Sequence, residues 1–237
     1  MCQLLSGIYL ENGDIKLPIF FNSHTDIIEY YGLTKQDREF NLVKFEITPP
    51  WKLVGFFNAQ KWNFKIDQDI LPDWANKKFV ENEVRNKLQT ILDDENYCPK
   101  IEKTCNLLWG RFLALRGIGT VKMVAENTLI LFLPTKITIE NAGYAQIQNV
   151  GYAKIEYAGS AIIQNAGFAT IQNAGYAIIQ NAGFATIQNA VYATIQYADY
   201  AKIQNADSAI IQYAGFATIQ NAGSATIQYT SYATITK

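Results

Sequence analysis

Residues 162–193 read IIQNAGFA-TIQNAGYA-IIQNAGFA-TIQNAVYA, one eight-residue unit written four times. The octad runs without a gap from Thr138 to Ala233 and ends in a four-residue remainder, which gives twelve complete units. Its second position is Ile in every unit, and its eighth position is Ala in every complete unit. Short repeats of fixed length are typical of solenoids, in which each unit buries its apolar face only against its neighbours. The octads therefore predict an all-β solenoid.

Strand alternation predicts which side chains of the octad point inward. In the middle of the repeat, Ala177 and Ile179 are expected on the inner face. Tyr176, Ile178 and Gln180 are then expected on the outer face. The Asn-Ala-Gly that follows is expected to form the corner, since Asn and Gly tolerate left-handed backbone dihedrals. A helix is excluded because the period is eight and Gly recurs in most units.

Two alternating classes of octad determine the predicted coil length. Every second octad has an aromatic residue at its seventh position, followed two residues later by Thr or Lys. These aromatic residues are Tyr152, Phe168, Phe184, Tyr200, Phe216 and Tyr232. The intervening octads mix Tyr with Ser and carry Ile, Thr or Gln at the later position. Sorting the octads in threes mixes the two classes, so the sequence predicts a two-sided solenoid with 8-residue half-coils and 16 residues per coil.

The aromatic row is the candidate binding surface, together with neighbouring outward threonines. These threonines are Thr170, Thr186 and Thr218. Stacked rings on adjacent strands stabilise a sheet by about 0.2–1 kcal/mol per pair, and tyrosines alone would fit that role. Three outward phenylalanines indicate a binding role in addition to stabilisation. The six rings can cover on the order of several hundred Å² of surface, close to the largest apolar patch of a typical monomer. The row predicts binding to a protein partner or to a second copy, most simply as a homodimer.

The chain is expected to have three parts. Residues 1–103 should form a small α+β domain, residues 104–137 should cap the solenoid, and residues 138–237 form the repeat. Within the first part, patterns predict a hairpin with strands at 5–10 and 15–19, a helix from Ser23 to Gly32, a strand at 42–48, two strands within 51–66 and a helix over about 72–92. The repeat stops at Lys237 without a visible cap, so an open strand edge is a second expected route to self-association.

Composition excludes several classes of function. The chain has 20 Lys/Arg and 21 Asp/Glu residues, but only three of the basic and four of the acidic residues lie after Ile137. The sequence contains no block of Lys/Arg that could bind nucleic acid. The sequence contains no run of 18 apolar residues, so it predicts no membrane span, and no signal peptide is indicated. The three cysteines have no disulfide framework spacing, which favours reduced thiols in a cytoplasmic protein.

Few residues suggest catalysis or metal binding. Cys2 follows the initiator Met, as in N-terminal-nucleophile amidotransferases, but the larger sandwich domain and the substrate-binding motifs of those enzymes are missing. His24 is the single histidine and is expected to have a surface or capping role. With one histidine, Cys98 and Cys105 cannot assemble the usual four zinc ligands. We therefore predict no metal and no cofactor.

The segment SGIYLENG at residues 6–13, followed by near-identical octads, resembles uncharacterised octapeptide-repeat solenoid proteins of bacteriophages and gut bacteria. The resemblance implies a solenoid and a viral or bacterial source, with the bacterial cytoplasm as location and a sequestered host factor as a natural partner.

The leading functional hypothesis is a non-enzymatic structural or binding protein. One alternative is an ice- or polysaccharide-binding solenoid, although Lys154 and Lys202 interrupt the threonine row. Another is a Cys2-dependent hydrolase or amidotransferase in the N-terminal domain.

Overall fold

The computed structural model describes residues 5–21, 23–38, 41–50 and 53–236. The chain divides after Asp94 into two compact units. The first contains helices and an antiparallel sheet, and the second is a parallel β-solenoid with two sheets. The predicted fold class is thus confirmed.

The first unit is built on a four-stranded antiparallel sheet. Its elements are β1 (Leu5–Leu10), β2 (Ile15–Lys16), α1 (His24–Tyr30), α2 (Thr34–Arg38), β3 (Leu42–Thr48), β4 (Asn63–Ile66) and α3 (Lys77–Asp93), with a 3-10 turn at Ala59–Lys61. The strand order is β2-β1-β3-β4. The central pair β1 and β3 contributes Ile8, Val43 and Phe45 to a fully buried core.

Local signals set both ends of α1 as predicted. The Ser23 hydroxyl accepts a hydrogen bond from the Asp26 amide at 3.4 Å and begins α1. Gly32, with φ of 66°, follows the end of α1, and the Leu33 amide then donates to the Ile28 carbonyl. This arrangement is typical of a helix closed by glycine. Helix α3 begins after Asn76, whose side chain accepts from the Phe79 amide.

The segment 51–66 differs from the predicted pair of strands. Only β4 is a strand there, and Trp51 and Lys52 lie outside the described residues. Side chains of α3 bind the backbone of the 3-10 turn in place of a sheet partner: Arg85 Nη1 donates to the carbonyls of Ala59 and Trp62, and Gln89 Oε1 accepts from the Ala59 amide. Strand β2 is also shorter than predicted, α3 begins later, and α2 was not predicted.

The solenoid has two parallel sheets. Sheet I contains β6 (Thr104–Leu108), β9 (Thr120–Val124), β11 (Thr138–Asn141), β13 (Lys154–Tyr157), β15 (Thr170–Asn173), β17 (Thr186–Asn189), β19 (Lys202–Asn205), β21 (Thr218–Asn221) and β23 (Thr234–Ile235). Sheet II contains β7 (Arg111–Ala114), β10 (Leu129–Phe132), β12 (Gln146–Asn149), β14 (Ile162–Asn165), β16 (Ile178–Asn181), β18 (Thr194–Tyr197), β20 (Ile210–Tyr213) and β22 (Thr226–Tyr229). A short pair, β5 (Lys100–Ile101) and β8 (Arg116–Gly117), lies beside the first coil.

The strand register confirms the 16-residue coil. Thr170 pairs with Thr186 in sheet I, and Ile163 pairs with Ile179 in sheet II, so equivalent octad positions meet every second octad. The two sheets extend beyond the octads into β6, β7, β9 and β10. There the pairing of Thr120 with Thr138 shows an 18-residue coil. Residues 104–137 thus contribute coils that lack the octad sequence.

Three residues of most octads form the solenoid core. Ala177 and Ile179 are fully buried, as alternation predicts, whereas Tyr176 and Ile178 are exposed. The alanine at the fifth position, such as Ala174, is fully buried as well and joins the core from the corner. A buried Ile contributes about 1.5–3 kcal/mol relative to an exposed one, so the Ile column is the main source of stability in the stack.

A tight turn connects the two sheets in every octad. The amide of the eighth residue donates to the carbonyl of the fifth, as from Ala177 to Ala174 at 2.9 Å. The sixth residue has a positive φ, which is 60° at Gly175. A positive φ at the first central position alone is the pattern of a type II′ turn, which prefers glycine there. Val191 is a β-branched residue in this position, with φ of 48°.

We expect Val191→Gly to stabilise the solenoid by about 0.5–1 kcal/mol, because relief of the positive φ outweighs the greater flexibility of glycine in the unfolded chain. The matched variant Gly175→Ala, one coil earlier in the same column, should destabilise it. A Cβ at Gly175 would lie 2.9 Å from the Gly159 carbonyl oxygen. Urea unfolding followed by circular dichroism checks both changes. A midpoint for Val191→Gly at or below that of the unmodified protein would show that Val191 is not strained.

Candidate functional site

Six aromatic rings form a continuous ladder along one edge of the solenoid. They occupy the turns that lead into the strands of sheet I. Successive ring centroids are 4.9–5.2 Å apart, and the ring planes deviate by 5–11°. The members of this six-ring ladder are Tyr152, Phe168, Phe184, Tyr200, Phe216 and Tyr232. The structure thus brings together all six aromatic residues that the sequence singled out.

The backbone holds the six-ring ladder in place. The Phe184 amide donates to the Gly167 carbonyl of the preceding coil at 2.8 Å, and the Tyr200 amide donates to the Gly183 carbonyl at 2.9 Å. Each ring therefore rises by one strand spacing from the ring before it. The prediction that Phe168 and Phe184 lie on adjacent rungs of one face is confirmed.

Stacking determines which part of each ring can meet a partner. An interior ring such as Phe184 has a neighbouring ring on both faces, yet the residue is 55% exposed. The exposed part is therefore mainly the ring edge. Ring edges carry partial positive charge and suit apolar contacts and edge-to-face contacts with other aromatic rings. A sugar that stacks on an aromatic residue needs an open ring face, which the interior of this ladder does not offer.

The predicted threonines form a column beside the six-ring ladder. Thr170, Thr186 and Thr218 begin β15, β17 and β21, two residues after a ring of the ladder in each case. Thr170 pairs directly with Thr186, and Lys202 stands between Thr186 and Thr218. The threonine column is therefore regular over two coils and interrupted at the third.

Charge separates the two sheets of the repeat. The charged residues of the octad strands within the described part of the chain are all in sheet I, namely Glu140, Lys154, Glu156 and Lys202. Lys154 Nζ contacts Glu156 Oε1 at 2.8 Å. In sheet II the outward residues are Gln, Thr and Ile, including the exposed Ile178 and Ile210. Within the octads, the solenoid thus presents one charge-bearing sheet and one uncharged sheet.

An asparagine ladder, which sequence reasoning missed, lies at the ends of the sheet I strands. Each side-chain amide donates to the amide oxygen of the preceding coil at 2.8–3.0 Å, along Asn173, Asn189, Asn205 and Asn221. A shorter series in sheet II joins Asn149, Asn165 and Asn181. Such ladders pair identical amides from coil to coil and hold the strands in register. The recurrent Asn at the fourth octad position was the available signal.

Two further tyrosine ladders were also missed. In sheet II the column of Asn181 continues as Tyr197, Tyr213 and Tyr229, with centroids 4.8–5.0 Å apart. In the turns that lead into sheet II, Tyr176 stacks on Tyr192 at 5.1 Å. The sequence signal for the first ladder was Tyr in place of Asn at the fourth octad position. For the second ladder it was Tyr in place of Ser at the seventh position.

The groups considered for catalysis or metal binding are separated in the chain. Cys2 lies outside the described residues. His24 Nε2 is 2.9 Å from the Phe45 carbonyl oxygen, and its Nδ1 is 3.4 Å from Asp67 Oδ2. Both ring nitrogens therefore contact other residues of the first unit. Cys98 is buried and Cys105 is half-buried.

The described part of the chain contains neither a cluster of metal ligands nor a membrane-spanning helix. Within residues 5–21, 23–38, 41–50 and 53–236, no cluster of three or more His, Cys, Asp or Glu could hold a metal ion. Over the same residues, no helix has the length and apolar character needed to cross a membrane.

The geometry defines the class of protein: a two-sheet parallel β-solenoid with exposed aromatic ladders and an asparagine ladder. No family model matches the sequence, and neither a curated protein nor a solved structure is significantly similar to it. The resemblance to phage and gut-bacterial repeat proteins implied a solenoid, which is confirmed, but no family is identified. Inferences about function therefore start from the ladders.

Proposed function

We propose that the protein is a non-enzymatic binding protein whose six-ring ladder, with the adjoining Thr and Gln side chains, forms a contact surface for a protein, in the simplest case a second copy of the chain. The observation that carries the proposal is the ladder itself. Its rings are held at constant spacing by backbone hydrogen bonds, and Phe184 and Phe216 are still more than half exposed.

Energetics favour a binding role over stabilisation alone. Stacking contributes about 0.2–1 kcal/mol per cross-strand pair whether the ring is Phe or Tyr. Tyrosine would supply that contribution and also place a hydroxyl in water. Phe184 and Phe216 instead leave apolar edges in solvent, at 55% and 51% exposure. Burying such a half-exposed ring in an interface gains roughly 1 kcal/mol, which only a partner can provide.

A second copy satisfies the geometry of the ladder. The five intervals between the six rings, at about 4.8 Å each, give a row roughly 24 Å long, sufficient for the apolar centre of a standard interface. A two-fold axis perpendicular to this row lays the rows of two chains antiparallel against each other. Threonine and glutamine side chains beside the row can then form the polar rim.

The proposal is tested by comparing two double variants of the full chain. Light scattering coupled to size exclusion should give a dimer for the unmodified protein and a monomer for Phe184→Ser with Phe216→Ser. The matched control, Ile178→Ser with Ile210→Ser, removes two exposed apolar residues from sheet II and should remain a dimer. Circular dichroism establishes that all three proteins are folded.

A monomer for the unmodified protein at high concentration would overturn the self-association version. If the phenylalanine variant remains a dimer and the isoleucine control becomes a monomer, the dimer contact lies on sheet II instead of on the six-ring ladder.

A further inference from the structure

A gap of one ring interrupts the aromatic column on the opposite edge of the solenoid. This column runs through the turns that lead into sheet II. In successive coils its members are Tyr144, Ser160, Tyr176, Tyr192, Ser208 and Ser224. Tyr176 stacks on Tyr192 with ring planes 12° apart. Ser160 occupies the rung below Tyr176, and Tyr144 occupies the rung below Ser160.

The backbone keeps its regular spacing through the gap. The Ser160 amide donates to the Gly143 carbonyl at 2.8 Å, and the Tyr176 amide donates to the Gly159 carbonyl, also at 2.8 Å. Tyr144 and Tyr176 are therefore two rungs apart, about 10 Å. This separation accommodates one planar ring stacked on both tyrosines.

The complete six-ring ladder shows that this geometry accepts a ring. There Phe168 lies between Tyr152 and Phe184, at 5.2 Å from each. Ser160 holds the equivalent place in the interrupted column, with a side chain too small to fill it. The space between the two flanking tyrosines is thus a vacancy of one ring in an otherwise ring-sized repeat.

The walls of the gap are open to solvent. Tyr144 is 65% exposed and Tyr176 is 66% exposed, compared with 55% for Phe184, which has rings on both sides. Tyr157 precedes the same turn as Ser160 and is 57% exposed. An incoming ring would therefore meet two tyrosine rings that are already held by the fold.

We propose that Tyr144, Ser160 and Tyr176 form a binding slot for one planar aromatic ring, donated by an aromatic side chain of a protein partner. The inserted ring completes a stack of four from Tyr144 to Tyr192, and the Ser160 hydroxyl at the base of the slot can accept the N–H of an indole. The source of the ring rests on the proposed function, whereas the slot itself does not.

The local charges favour a protein side chain over a nucleotide. The octads that contain Tyr144 and Ser160 are the two octads with Glu at the third position, Glu140 and Glu156. Lys154 neutralises Glu156 at 2.8 Å. Glu140 adds a carboxylate to the octad that carries Tyr144, and carboxylates repel phosphate groups.

Saturation-transfer NMR on the full chain tests the slot with N-acetyltryptophanamide as the probe. The unmodified protein should give a saturable signal with a dissociation constant on the order of millimolar, as expected for a fragment of this size. Ser160→Tyr fills the slot from within and should abolish the signal. Ser208→Tyr is the matched control, because it adds a ring to the same column above Tyr192 without filling a gap, and it should keep the signal.

Tyr176→Ser removes one wall of the slot and should weaken binding at least fivefold, which keeps the test valid if Ser160→Tyr fails to fold. A missing saturable signal in the unmodified protein, or equal signals in Ser160→Tyr and Ser208→Tyr, would overturn the slot. Tighter binding of adenosine monophosphate than of the tryptophan probe would overturn the assignment to a protein side chain. Because the probe is free in solution, ring binding by a monomeric protein would support the slot while the self-association proposal fails.

Discussion

Ile179→Asp should unfold the middle of the solenoid, whereas Ile178→Asp, one residue earlier, should leave it folded. Ile179 is fully buried and pairs with Ile163 and Ile195 in the coils on either side, while Ile178 is 45% exposed on the outer face. An unpaired carboxylate in this core costs several kcal/mol, in addition to the roughly 1.5–3 kcal/mol of lost apolar burial. At position 178 the same carboxylate stays in water, and the change should remain within about 1 kcal/mol.

Urea titrations followed by circular dichroism at the strand minimum check this pair of variants. The Ile179→Asp protein should lose strand signal at low denaturant, because each coil is stabilised only by its neighbours and the defect spreads to them. Ile179→Val, a smaller change at the same place, should cost only about 0.5–1.5 kcal/mol. Equal midpoints for the two Asp variants would contradict the assignment of the Ile column to the core.

Arg85→Met should destabilise the first unit by about 3–5 kcal/mol without affecting the solenoid. The Arg85 side chain is 10% exposed, and its guanidinium donates to the Ala59 and Trp62 carbonyls at 2.7 and 2.8 Å. Its Nη2 also contacts Glu81 at 2.6 Å. Methionine can fill much of the space but donates no hydrogen bonds, so two buried carbonyls lose their charged partner.

Hydrogen exchange read by mass spectrometry separates the two units. In Arg85→Met, exchange should accelerate by about two to four orders of magnitude across residues 59–62 and 77–93, while the octads keep their protection. Lys87→Met, at an exposed position of the same helix, is the control and should exchange like the unmodified protein. Uniform acceleration over the whole chain would instead show that the two units unfold together.

The solenoid could be predicted from the sequence because its physical constraint repeats. A thin core accepts only small and branched apolar residues, so Ala177 and Ile179 mark the inner face in every unit. Two unlike octads then reveal the coil length. The coils within residues 104–137 gave no such signal, because their length varies and Val121 and Ile130 take the place of the octad isoleucine.

The ladders at the strand ends could be predicted only in part. The six-ring ladder was visible because aromatic residues occur in every second octad. The tyrosine ladder of Tyr197, Tyr213 and Tyr229 occupies a position that is otherwise Asn, and it becomes apparent only when every second octad is aligned. In the first unit, the aromatic composition of 51–66 favours strands, but hydrogen bonds from Arg85 across the sequence determine the conformation there.

Unequal recombination between near-identical octads can delete or duplicate them, and the alternation of the two sheets limits which products survive. Loss of a single octad would transfer every later strand to the opposite sheet. Loss of the octad at 186–193, for example, would move Lys202 into the uncharged sheet and place Ser208 instead of Tyr200 next to Phe184 in its column. Loss or gain of two octads preserves every column. Length variants of this chain should therefore differ by whole pairs of octads, so that the heritable unit is the coil, twice as long as the repeat its sequence displays.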